Sequence, residues 1–533
     1  MSWLIIAAVV LVSLLNAALI VPYALHTLAI TGAYLCTRRR AVACPPCPGP
    51  DRLPVVTVQL PLFNEGRVAE RVIDAAGRLD WPADKLEIQV LDDSTDAGDR
   101  AIVDAAAERT RRRGVDVRVV RREDRSGFKA GAMAAALPEA RGEYVAIFDA
   151  DFLPRPDFLR LTVPRFLEPG AEDLGLVQTR WSHLNADASL LTRCQEALID
   201  AHFVVEQTAR SRCGLFMSFN GTGGVWRRTC IDDAGGWSPR TLTEDLDLSI
   251  RAQLRGWRFF YDPDVDCPAE LPAALPHFKS QQRRWNKGIV EVARHTLPEI
   301  WRAPREAVGF VKKLDISLHL VRPVLQLWLV AICVLSLPIM VIDTSLSSMM
   351  VEGFFQDAVA VVEHFWLLGI AATAALLTVS ALRLRKRLSA TLLRLPAVFA
   401  LGAGMAVSNA WAVAEALAGK VTPFVRTPKG SGTVDPAESA PGASRKRPAL
   451  RVEVLEFALA GYLLIGGLGA LIMSPEAGAV PFLLILAGGC AWTGVLAHWE
   501  AIKGAVRVGP APWQSRPRGG IGEGDEPPAV AGA

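Results

Sequence analysis

Two aspartates one residue apart, Asp149 and Asp151, close the apolar run Tyr144-Val145-Ala146-Ile147-Phe148. Carboxylates held that close raise each other's pKa unless a cation stands between them. A divalent ion resolves the conflict: Mg²⁺ or Mn²⁺, bound through one or two carboxylates and completed by substrate phosphates, would also stabilise a leaving diphosphate. The competing reading is an exposed acidic turn. Thr243-Glu244-Asp245-Leu246-Asp247 opens a helical pattern with a second group of acids. An attacking hydroxyl needs a general base, for which Asp245 is the candidate, against simple acidic capping of a helix N-terminus. Asp92-Asp93-Ser94-Thr95 could accept hydrogen bonds from a base or ribose, or cap a helix in a surface turn. Pro61-Leu62-Phe63-Asn64-Glu65 stands between a strand-like run and a helix-like one, where a nucleotide meets backbone amides. Lys129, in Ser126-Gly127-Phe128-Lys129-Ala130-Gly131, can meet a diphosphate as a point charge while the glycines permit close backbone approach. Gln281-Gln282-Arg283-Arg284-Trp285 lies on an amphipathic stretch, either an interfacial anchor or an acceptor and diphosphate site beneath a pocket.

These groups need elements to hold them. Val55 to Leu60, Leu86 to Leu91, Val115 to Val120 and Tyr144 to Phe148 read as buried strands separated by helical stretches. That alternation predicts an α/β domain over 53–312 with a parallel sheet, and ligands at the carboxyl ends of the strands, where the polar motifs fall.

Flanking this domain the composition changes. Trp3 to Cys36 carries no charge and exceeds the roughly 20 residues needed to cross hydrocarbon, so 1–37 is expected to be a transmembrane helix. Arg38 to Arg40 follow it and place the domain in the cytoplasm. Apolar runs at Val324 to Ile342, Phe365 to Leu382, Phe457 to Met473 and Val480 to His498 predict two spans in 313–388 and two in 455–500. The run Ala397 to Ala418 has basic residues on both sides, Arg383 to Arg394 before it and Lys420 to Arg447 after it. A single crossing would put one basic cluster outside, so 389–420 is expected to lie in the interface or re-enter, with 421–454 a cytosolic loop. The tail 501–533, rich in Gly and Pro, is expected to be disordered. A net charge of +3 against 58 basic and 55 acidic residues gives no bulk attraction to nucleic acid. Nine scattered cysteines suit reduced thiols, and the Cys44/Cys47 pair is half a zinc site at most. The Ala- and Arg-rich composition points to a bacterial inner membrane.

Taken in order, the DDST acids, the DxD pair, the TED triplet and QxxRW resemble the processive family-2 glycosyltransferases of the cellulose synthase superfamily, over about Leu53 to Gly288. Gln89 to Thr95, Phe219 to Gly224 and Ala234 to Trp237 are similar in particular to the cellulose-synthase-like A group, mannan and glucomannan synthases, and their bacterial relatives. The resemblance implies a GT-A type fold joined to an α-helical transmembrane region, and inverting transfer of hexose from UDP-glucose or GDP-mannose into a β-glycan. The glycan would be passed across the membrane, with the lipid bilayer and accessory export subunits as partners; the alternative is transfer of one hexose to a lipid. It implies Asp245 as base and Glu65, Asp92, Asp93, Lys129 and Asp149 as nucleotide-sugar ligands, with Asp149 and Asp151 at the metal. Phe219, Asn220, Gly221, Thr222, Gln281, Arg284 and Trp285 would hold the acceptor and diphosphate, and Gln178 to Trp181 resembles a further acceptor-side stretch. Phe424, Thr427 and Lys429 are similar to a gating loop.

Overall fold

The computed structural model describes residues 2–39, 44–347, 352–420, 449–473 and 479–503. Helix α1 (Ser2–Thr37) precedes an alternation of β1 (Val56–Leu62), α2 (Arg67–Ala76), β2 (Leu86–Asp92), α3 (Ala97–Arg111), β3 (Asp116–Val120), α4 (Phe128–Ala136) and β4 (Tyr144–Ile147). β1 to β4 pair in parallel, as the apolar runs and their spacing predict. Helices cover both faces of the central strands, and β2 is buried at every position, its polar Glu87, Gln89 and Asp92 included. Polar side chains inside are matched across the register: Thr57 donates to Glu87 at 2.6 Å and Gln59 to Gln89 at 2.9 Å, each pair directly opposite.

The second half of the domain is less regular. It comprises α5 (Phe158–Thr162), β5 (Leu174–His183), α6 (Leu190–Asp200), a π-helical turn (Ala201–Gln207), α7 (Thr208–Arg212), β6 (Gly224–Arg227), α8 (Arg228–Asp233), α9 (Glu244–Leu254) and β7 (Arg258–Ala269). The seven strands run in the order β3-β2-β1-β4-β6-β5-β7. β6 is antiparallel to both neighbours, so the sheet is mixed rather than wholly parallel. This reversal sets the turn before β6 against the carboxyl end of β4: Gly223 N donates to Ile147 O at 2.9 Å, and Asp149 N to Thr222 Oγ1 at 2.9 Å.

Past the sheet, α10 (Leu275–Arg302) leads to α11 (Phe310–Val321), α12 (Leu325–Ser347), α13 (Glu352–Arg383), α14 (Leu388–Leu417), α15 (Ala449–Met473) and α16 (Ala479–Lys503). Four described segments are long and apolar enough to cross a membrane: Leu14–Thr37, Phe310–Pro338, Leu388–Leu417 and Val452–Gly469. Leu367–Arg383 and Leu483–His498 are shorter apolar helices. The segment 389–420, expected to lie in the interface or re-enter, is one continuous helix, α14. Its middle meets α16 at a glycine crossing, where a Cβ on Gly404 would stand 2.4 Å from Gly489 O. Its end meets α10, with Arg294 donating to Ala416 O at 2.7 Å. Phe424, Thr427 and Lys429, and the tail from 504, lie outside the described residues.

Candidate active site

A cavity of about 160 Å³ opens where the carboxyl ends of the central strands face α9 and α10. It gathers Glu65, Asp93, Lys129, Asp149, Asp151, Asn220, Gly221, Asp245, Gln281, Arg284 and Trp285 from among the sequence candidates. A larger depression beside Arg71, Asp74 and Arg78 contains none of them.

On one side, Lys129 is fixed by Asp149 Oδ1 at 2.6 Å and Gly221 O at 2.8 Å, with Glu244 Oε1 at 4.0 Å. The loop that presents it turns through positive φ at Gly127 (71°) and at Phe128 (48°), the second unusual for a side chain of that size. Gly221, at φ 85°, closes the gap between the two sides. A Cβ there would stand 2.9 Å from Asp245 Oδ2 and 3.4 Å from Lys129 Nζ.

Asp245 lies in the first turn of α9, and its Oδ1 accepts from Leu246 N at 2.8 Å. Burial, together with the neighbouring Glu244 carboxylate, pushes its pKa up to about 7 against the opposing pull of Lys129 and Arg284. A carboxylate so poised exchanges a proton near neutrality, as a general base must. The nearby Asp247 is instead fully buried and held by Arg240 at 2.7 Å and Arg251 at 2.8 Å.

Gln281, Arg284 and Trp285 share a face of α10 because residues three and four apart on a helix are neighbours. Gln281 Oε1 is buried with no hydrogen-bond partner among the described residues, which marks a place for a ligand's donor. α10 approaches the TED loop through Gly288, where a Cβ would fall 2.5 Å from Thr243 Cγ2. Gly288→Ala is therefore expected to cost about 1–3 kcal/mol of packing. A lowered unfolding midpoint and reduced turnover in the same purified variant would check this.

Three candidates do not reach the cavity. Asp92, 1% exposed, is paired with Arg121 at 2.8 Å and accepts from Ser94 N at 3.1 Å, so it braces the loop. Phe219, 1% exposed, packs edge-on to Trp226 and beside Trp237 in the core rather than facing an acceptor. Thr222 is fully buried and supports Asp149 from behind. Within Gln178 to Trp181, Trp181 lines the cavity and donates to Thr222 O at 3.3 Å, while Gln178 braces the turn through Thr222 O, Gly223 O and Asn220 N. Arg180 turns away to Pro263 O.

Among the described residues, no group of three or more His, Cys, Asp or Glu side chains forms a ready metal site. Asp149 and Asp151 nonetheless fit a hard divalent ion that takes its other ligands from substrate phosphates and water.

Residues 54–288 match the family described as glycosyltransferase-like family 2. This is a family-2 glycosyltransferase domain. Glucomannan 4-beta-mannosyltransferase 1 of Oryza sativa subsp. japonica is 46% identical over 284 residues, 51% of this chain and 54% of that protein. Glucomannan 4-beta-mannosyltransferase 2 of Arabidopsis thaliana is 44% identical over 285 residues, 52% of this chain and 53% of its own length. The chain thus spans about half the length of the curated relatives it matches. Being plant proteins, they lend no support to a bacterial inner membrane. A mannosyltransferase from Pyrobaculum calidifontis, solved with GDP-Man and Mn²⁺, superposes with a TM-score of 0.48 at 21% identity, covering 68% of this chain and 98% of that one.

The glycosyltransferase domain also brings in residues that motif spacing did not single out. Arg125 lies 3.3 Å over the Phe63 ring, and burial pushes its guanidinium below the ordinary arginine range. Arg122 grips Asp93, 7% exposed, through Nε at 3.1 Å and a terminal nitrogen at 2.5 Å. His183 lines the cavity and meets Asp200, which Lys386 from the α13–α14 junction holds at 2.6 Å. The basic cluster Arg121, Arg122 and Arg125 before Lys129 was the one sequence signal for the first two.

Proposed function

We propose that the chain is a processive, inverting β-glycosyltransferase that polymerises hexose from a nucleotide sugar into a cellulose- or glucomannan-like glycan and passes it across the membrane. The observation that carries this reading is the single cavity in which Lys129, Asp149 and Asp151 stand on one side and Gln281, Arg284 and Trp285 on the other, with Asp245 between them. Asp93, with the Phe63 and Arg125 stack, lies where the nucleoside would bind. Asp245 takes the proton of the acceptor hydroxyl as its oxygen bonds to the anomeric carbon. The bond from that carbon to the nucleoside diphosphate breaks on the opposite face, giving inversion. Lys129 and Arg284 face the charge that develops on the leaving group. A divalent ion at Asp149 and Asp151 would supply further charge neutralisation there.

Export is supported by the helices beside the site. α10, which carries the acceptor residues, packs directly against α14, one of the long apolar segments. With Arg38 directly after α1, the catalytic domain stands on the cytosolic side. Of the two donors, GDP-mannose is favoured by the names of the curated relatives, which are mannosyltransferases.

Purified protein in nanodiscs with Mn²⁺ is the test, offered radiolabelled GDP-mannose and UDP-glucose in separate reactions. High-molecular-weight label from GDP-mannose is expected. Label confined to a single-hexose lipid would overturn the polymerase reading in favour of lipid glycosylation.

A further inference from the structure

Asn220 lines the cavity, yet its side chain is held entirely from behind by the π-helical turn Ala201–Gln207. Gln207 Nε2 donates to Asn220 Oδ1 at 2.7 Å, and Asn220 Nδ2 meets His202 Nε2 at 3.2 Å. Residues five apart diverge on an α-helix of 3.6 residues per turn. The i→i+5 bonding of a π-helix stacks them instead, which lets His202 and Gln207 grip the same amide.

The hydrogen bonds run in one consistent direction. Gln207 Nε2 also donates to Ser218 O at 2.6 Å, and a carbonyl can only accept, so the Gln207 amide nitrogen must face this side. Asn220 therefore presents its oxygen to Gln207 and its nitrogen to His202. His202 Nε2 is then an acceptor, its proton sits on Nδ1, and Glu206 Oε2 accepts it at 2.8 Å. The Asn220 backbone N–H is fixed as well, by Gln178 Oε1 at 3.2 Å. Glu206 continues the chain to Arg322 at 3.4 Å, within the apolar segment Phe310–Pro338. Burial disfavours the Glu206 charge, but the His202 and Arg322 contacts outweigh it and hold the carboxyl well below its ordinary range.

We propose that His202 and Gln207 are positioning residues for the acceptor: they lock the Asn220 amide in one orientation, Glu206 fixes the imidazole tautomer, and Arg322 ties the lock to a membrane-entering helix. The second lone pair of Asn220 Oδ1 and its second N–H are then left in fixed directions for acceptor hydroxyls. This rests on Asn220 facing the acceptor in the reaction proposed above.

The full chain in nanodiscs tests it, using His202→Leu, Gln207→Leu and His202→Gln, the last of which restores an acceptor for Asn220. Manno- and cello-oligosaccharides and a lipid extract serve as acceptors, and the effect is read on whichever the wild type extends. Failure of the polymerase reading therefore shows in the wild type alone and leaves this comparison intact. The leucine variants are expected to raise the acceptor KM about tenfold, the scale of one hydrogen bond. The donor KM and acceptor-free donor hydrolysis should stay within about twofold of wild type, because neither uses this amide. His202→Gln should recover most of the loss. An unchanged acceptor KM in both leucine variants overturns the proposal, and so does a parallel loss of donor hydrolysis that His202→Gln does not repair.

Discussion

Asp245→Asn is expected to slow glycosyl transfer by about 10²–10⁴-fold, the usual contribution of a general base, with little change in donor affinity. Asparagine matches the carboxylate in size and can still accept from Leu246 N, so the fold should survive. What it cannot do is take a proton. The pH dependence provides a second reading of the same group. Since burial and Glu244 push the Asp245 pKa up to about 7, the acid form predominates below that pH and the base form above it. The wild-type rate should therefore rise through about pH 7 and level off, whereas the residual rate of the variant should lack that step. Full activity in Asp245→Asn, or an identical pH step in both proteins, would sink the assignment.

Asp149→Asn and Asp151→Asn form the second large expectation. A bound divalent ion contributes several kcal/mol to a transition state that expels a diphosphate, which corresponds to a loss of about a hundredfold or more when its ligands are removed. The two positions should differ in kind. Asp149 also pairs with Lys129 at 2.6 Å, so its replacement removes the ammonium's charged partner, leaving Gly221 O to hold it, and should weaken donor binding with or without metal. Asp151, 6% exposed and lining the cavity, should weaken the metal-dependent part. Titrating donor into each variant with Mn²⁺ and then with excess EDTA separates these effects. Equal donor affinity in EDTA and Mn²⁺ for the wild type would remove the metal from the reading.

Much of this site is written in local sequence, because local chemistry determines it. Apolar runs of strand length predict β1 to β4, and their parallel pairing follows from the helical stretches between them. The polar motifs fall at the carboxyl ends of those strands, and the QxxRW spacing alone places Gln281, Arg284 and Trp285 on one helical face.

What the sequence by itself could not decide is which way individual groups face and what distant segments meet them. Adjacent residues at a strand's end point to opposite sides, so only one of Asp92 and Asp93 could enter the cavity, and nothing local says which. Packing chose Asp93, and Arg121 took Asp92. Phe219 is swept into the core for the same reason, since Trp226 and Trp237 offer it more apolar contact than the cavity does. The antiparallel β6, four residues long and preceded by glycines, carries too little periodicity to announce itself, yet its pairing with β4 sets Thr222 behind Asp149. Sequence determined the chemical groups and the elements that carry them. Only tertiary packing, acting between residues far apart in the chain, decided their directions and their charged partners.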